Sequence, residues 1–166
     1  MAMNAACIRM GAIRLCLAMM LGLLVVSGYV VTPILFAKAD SSMQAGMLAG
    51  HIFHMVNIGV LFLAVAVASF WMRSHAAGRL NWVLLLLIVL LISINEFGIS
   101  PLIQSIKDSV GAIDALAKDD PQRMQFGMYH GISAVCHLLA SLMAALLVAL
   151  GGSLCKNNAK PDGQND

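Results

Sequence analysis

Ile92-Ser-Ile-Asn-Glu-Phe-Gly-Ile-Ser-Pro-Leu-Ile-Gln104 decides how this chain is read, because here an oily run too long for an ordinary soluble helix acquires an acid. That acid, Glu96, is the only glutamate in the protein. A carboxylate inside hydrocarbon costs about 2.5–3.5 kcal/mol on insertion scales, so it faces a bundle interior with a partner rather than lipid. The rest of the chain must supply that partner at the same depth.

Composition agrees with a membrane setting. Hydrophobic residues make up 60% of the chain and charged residues 11%, against roughly 45–50% and 25% in soluble domains. A net charge of +2, with basic residues dispersed in ones and twos, offers no patch for nucleic acid. Cys7, Cys16, Cys136 and Cys155 show no CxxC spacing, so neither a disulfide framework nor a cysteine zinc site is implied.

Four apolar spans are expected, at about 13–36, 47–72, 80–106 and 124–151, each long enough to cross about 30 Å of hydrocarbon. The fold class is all-α, an integral membrane antiparallel four-helix bundle over 13–152, with a cytoplasmic leader at 1–12 and a disordered polar tail at 153–166. Ala37-Lys38-Ala39 offers a signal-cleavage pattern, but the preceding apolar stretch exceeds a signal core of about 7–15 residues and is read as a retained span. In the polar loop 107–123 a helical turn is expected around Val110–Ala117, with Pro121 as its stop.

An even number of spans puts both termini on one side. Arg9, Arg14, Arg73, Arg79, Lys156 and Lys160 then oppose Lys38, Lys107, Lys118 and Arg123, a bias that favours cytoplasmic termini. The lipid bilayer is the expected partner, and Trp71 and Trp82 flank the inner turn as interfacial aromatics do.

This topology assigns depths at about 1.5 Å per residue. His51, His54 and Asn57 on span two, Asn95 and Glu96 on span three, His130 on span four, and Tyr29 on span one fall in the outer half, with His137 two turns deeper on span four, near the middle. Facing agrees: Gly50, His54, Asn57, Ala64 and Ala68 form one stripe, Ser93, Glu96 and Ser100 another, and Gly127, His130, Ala134, His137 and Ser141 a third. The expected site is a polar cluster of Tyr29, His51, His54, Asn57, Asn95, Glu96, His130 and His137. Small-residue stripes would equally suit a homo-oligomer interface.

Such a cluster has three readings. It is a structural polar network, or a site for a small ion or proton at the buried Glu/His pair. It is a non-covalent haem site, haem b because there is no CxxCH, with His54 opposite His130 or His137. Or it handles copper: the sequence holds twelve methionines, and Met47, His51 and Met55 with Met128 and His130 offer thioether and imidazole ligands suited to Cu(I), although methionine is also an ordinary core filler. There is no G-x-S-x-G, H-E-x-x-H or glycine-rich phosphate loop, so no catalytic residues are assigned and enzymatic activity is not expected.

Three stretches carry a family resemblance: Gly28-Tyr-Val-Val-Thr-Pro-Ile-Leu-Phe36, Glu96-Phe-Gly-Ile-Ser-Pro-Leu-Ile-Gln104 and Met128-Tyr-His-Gly-Ile-Ser133. The chain resembles the bacterial inner-membrane proteins grouped as domain of unknown function 4149, which are similar to the eukaryotic transmembrane protein 205 family. The likeness covers about residues 12–152 by layout. It implies the four-span architecture and an inner-membrane location, and it supplies no settled activity. Pro33, Pro101 and the His130-Gly131 pair match the family's motifs. The family carries Asn where His137 stands, which sets His137 apart from the shared pattern. Copper-resistance membrane proteins and a haem-dependent membrane oxidase of porphyrin synthesis have a loosely similar layout, the resemblance that touches the metal and haem readings.

Overall fold

The computed structural model describes residues 5–74 and 77–151; Cys155 and the tail expected to be disordered lie outside the described residues. The first span runs through α1 (Ala5–Val25), a π-helical segment (Val26–Val31) and α2 (Thr32–Lys38). The second is α3 (Ser42–Ser74). The third comprises α4 (Arg79–Ser93), a second π-helical segment (Ile94–Ile99) and α5 (Ser100–Val110). The fourth is α6 (Pro121–Gly151), reached through a short 3-10 turn at Ile113–Ala115. All four spans are long and apolar enough to cross a membrane, and the architecture is an all-α four-helix bundle.

The sequence pattern explains the packing. Ile13, Leu17, Met20, Leu24 and Ser27 are the buried positions of the first span, recurring at steps of four and three so that one face meets its neighbours. Val60, Ala64, Val67 and Trp71 repeat the stripe on α3, as do Leu84, Ile88 and Ile92 on α4 and Ala140, Ala144 and Leu147 on α6. The opposite faces expose Leu15, Phe62, Leu86 and Leu142, as helices bathed in lipid do. Neighbours round the bundle are consecutive spans, with α6 closing against α1. At the short turn between spans two and three, Trp71 and Trp82 meet edge to face with ring centroids 5.4 Å apart.

The polar connection differs from expectation at one point. Pro121 opens α6 instead of ending a turn: Asp120 Oδ1 accepts from the amide of Gln122 at 2.8 Å, and a proline in the first turn has no orphaned N–H to satisfy. Gly111 ends α5 with φ +70°, a left-handed conformation for which glycine carries no Cβ penalty.

Two local features decide where the site can be. Val26-Ser-Gly-Tyr-Val-Val-Thr-Pro33 and Ile94-Asn-Glu-Phe-Gly-Ile-Ser-Pro101 align over their whole length: each is a π-helical segment followed by a hydroxyl residue and a proline. A helix-interior proline lacks an N–H and its ring crowds the carbonyl four residues back. The wider π turn relieves that crowding, with the amides of Thr32 and Ser100 each donating five residues back, to Ser27 O and Asn95 O. In span one the Thr32 hydroxyl adds a 2.8 Å bond to the same Ser27 carbonyl. Beyond these segments α2 stays packed on α3 and α5 on α6. The spans therefore behave as two similar hairpins, one plus two and three plus four, joined by a packed core at one end and parted at the other.

Candidate functional site

A cleft of about 690 Å³ fills the gap between the parted hairpins, within the roughly 300–1,000 Å³ of typical ligand sites. His51 and His54 line it from α3, Glu96, Gln104 and Lys107 from span three, and Phe126 and His130 from α6. At its floor Glu96 is buried, and one carboxylate oxygen meets Nδ1 of His54 while the other accepts from Asn57 Nδ2 at 2.8 Å. His54 keeps 58% of its side chain exposed, whereas Asn57 is only 2% exposed. The acid is thus held from below by an amide and from above by an imidazole that looks into the cleft.

The depth is that of a membrane interior. The 33 residues of α3 span about 50 Å, some 20 Å more than the hydrocarbon core. His54, twelve residues from the start of α3 at Ser42, lies about 18 Å along the axis, inside the apolar layer if the helix is centred. The imidazole on one oxygen and the amide on the other are the kind of partners that let an acid be tolerated there.

Two further polar contacts cross the gap, and an aromatic pair lines its α6 wall. Lys107 Nζ donates to the backbone carbonyl of Gly46 at 3.1 Å and sits 6.0 Å from the centre of the Phe126 ring. His130 stacks on the other side chain of that wall, its ring 5.9 Å from Phe126 and only 7° from parallel. Ser42, at the start of α3, donates to Asp114 of the 3-10 turn.

The expected cluster therefore divides. His51, His54, Glu96 and His130 share the cleft, with Asn57 beneath it. His137 belongs to a second, closed constellation: its Nε2–H donates to Leu24 O at 2.9 Å, and Phe53 packs edge-on at 5.2 Å. Tyr29 lies 6.3 Å from the same ring and is 48% exposed, away from the cleft. A haem held between His54 and His137 accordingly finds no cavity. Asn95 is buried beside Glu96, with its Oδ1 unpartnered.

The methionine set separates as well. Met47, His51 and His130 line the cleft, while Met55 and Met128 do not, and Met55 is 72% exposed. Steps of four residues overshoot a turn by about 40° each, so a Met47, His51, Met55 series has swung about 80° off the cleft by its last member. Among the described residues, no three His, Cys, Asp or Glu side chains converge as a metal set. Sequence reasoning passed over Lys107, Gln104, Asp108, Asp114 and Phe126, which line the cleft. Their signal was the C-terminal end of span three together with its loop, a stretch read only as a connection.

Residues 15–111 match the model of a family described as a domain of unknown function (DUF4149). No curated protein and no solved structure matches the chain.

Proposed function

Since the chain belongs to the DUF4149 family, a domain of unknown function, we propose a function from the geometry: a membrane-embedded binding protein whose site is the cleft between its two hairpins. One observation carries this reading. Glu96 is buried at the cleft floor with both oxygens engaged by span two, from His54 and Asn57, while the space above it, about 690 Å³, is left open by the parting of the helices. A purely structural polar network would be served by close packing around the pair. Here the spans separate instead, and polar contacts bridge them, from His54 to Glu96, Lys107 to Gly46 and Ser42 to Asp114.

Gly50 supplies the test. It lines the cleft, and a Cβ built on it meets no atom within 4 Å. Gly50→Leu should fold as well as the parent, with a helix-propensity gain of about 0.5–1 kcal/mol, and should lose stabilisation by ligand. Purified protein would be melted against a panel of metal ions, haem, organic anions and organic cations, since a ligand at a hundred times its Kd adds about 2.7 kcal/mol. A hit that raises Tm of the parent but not of Gly50→Leu supports the site. A panel with no hit, or one whose hits act equally on both proteins, removes it.

We also infer that the chain sits in a bacterial inner membrane with both termini cytoplasmic, so that the cleft opens toward the outer face. The support is the distribution of Lys and Arg between the two sets of loops. A reporter inserted at Asp114 should read outside and one at Ser74 cytoplasmic. The reverse pattern would turn the cleft to the cytoplasm.

A further inference from the structure

We propose that the ligand of this cleft is an acidic amphiphile, its carboxylate or phosphate head held by Lys107, His51 and His130 and its apolar portion lying against Phe36, Met43 and Met47. The inference rests on the cleft being a ligand site and adds what class of ligand it takes.

The acids and the basic groups of the walls differ in whether the chain already partners them. Three acids line the cleft, and each already holds a donor of the chain. Glu96 takes His54 and Asn57, Asp108 accepts from Gln104 Nε2 at 2.8 Å, and Asp114 accepts from Ser42. Apart from His54, which Glu96 holds, the basic groups keep free donors. Of the three N–H bonds of an ammonium, Lys107 uses one, to Gly46 O. His51 and His130 line the space, and among the described residues neither ring nitrogen bonds to the chain. Each imidazole carries at least one N–H donor. These three groups offer N–H donors that no acceptor of the chain takes, whereas every acid of the walls is tied to a donor of the chain. The acceptor that such donors hold best is an anion, because charge-assisted bonds are roughly twice as strong as neutral ones.

The apolar part follows from the same surface. Phe36, Met43, Met47 and Ile113 line the cleft beside the donors, and Met43 and Met47 are about half exposed, at 51% and 52%. Methionine surfaces adapt to flexible apolar partners. A free inorganic anion would leave that wall wet, whereas a molecule with a head and a hydrocarbon portion covers both. A lipid headgroup and a free fatty acid share this chemistry.

The experiment uses the full chain in neutral detergent and reads thermal stability and affinity by titration with phosphatidylglycerol, oleate, phosphatidylcholine and inorganic phosphate. Phosphatidylglycerol or oleate should stabilise the protein, whichever acts identifying the source of the head. Phosphatidylcholine and inorganic phosphate should not. Lys107→Gln and His51→Gln should each weaken the effective amphiphile about tenfold, the worth of one charged hydrogen bond. Lys118→Gln, which does not line the cleft, should bind as the parent does. His51→Gln keeps the test sound should Lys107→Gln disturb the Gly46 contact, since His51 holds nothing in the chain.

Equal stabilisation by phosphatidylcholine or by phosphate alone overturns the proposal, as does unchanged affinity in both cleft variants. A metal ion or amine that binds the parent and fails with Gly50→Leu overturns the ligand class and leaves the cleft reading intact. Failure of every compound on both panels removes the two together.

Discussion

Glu96→Leu is expected to lower the stability of the purified protein by about 2–3 kcal/mol, although it removes a carboxylate from a setting where charge is costly. The reason is what it leaves behind. Asn57 is 2% exposed and its Oδ1 is already without a partner, so deleting the acceptor at 2.8 Å orphans its amide donor as well. A buried donor stranded in this way costs about 1–3 kcal/mol. The His54 contribution is smaller, because that side chain is 58% exposed to the cleft and is not left buried when the carboxylate is removed. Together these outweigh the gain from burying leucine.

The double variant Glu96→Leu with Asn57→Leu reverses the sign. With both buried polar partners replaced, nothing is orphaned, and apolar replacement of a buried polar pair is commonly neutral or stabilising. Its melting temperature should return to the parent value or exceed it. A single Glu96→Leu variant that melts at or above the parent would show that the contacts to span two contribute nothing net, and the cleft floor would then be an accident of packing.

How far the sequence carries one toward this site depends on which force did the placing. Span number and the meeting of Glu96 with His54 and Asn57 are legible because hydrocarbon leaves an acid few choices, and because depth and facing agreed for those three residues. Facing was harder to read where the helix stopped being an α-helix. Residues 94–99 wind with i→i+5 bonding, and the phase slip buries Asn95 beside Glu96, although Ser100 still lines the cleft with Glu96. The prolines that mark both π-helical segments were visible, but the pairing of Tyr-Val-Val-Thr-Pro33 with Phe-Gly-Ile-Ser-Pro101 acquires meaning only once both segments lie at the level where the hairpins part. The cleft itself is a property of that parting. No single residue announces it, so the basic groups that line it, Lys107 above all, had no reason to stand out from an ordinary helix end.

His137 shows the same limit, since its place on the stripe with His130 joined it to the cluster while packing put it against span one. Its ring reaches Leu24 O only because position 28 has no side chain: a Cβ built on Gly28 falls 2.7 Å from His137 Nε2 and 2.9 Å from its Cδ2. The ring cannot retreat freely, with Phe53 edge-on at 5.2 Å. Gly28→Ala should therefore break the 2.9 Å bond to Leu24 and strain the contact, costing about 2–4 kcal/mol from the orphaned N–H and overpacking together. In a His137→Ala background the obstacle is gone, and the same Gly28→Ala change should become stabilising by about 0.5–1 kcal/mol, the usual gain of alanine over glycine within a helix. Measured as a cycle of unfolding free energies, the coupling between positions 28 and 137 should exceed 2 kcal/mol, where sites that do not touch add to within about 0.5 kcal/mol. An additive cycle would mean that span four is not keyed into the first π-helical segment. The two hairpins would then be joined at that level through Glu96 alone.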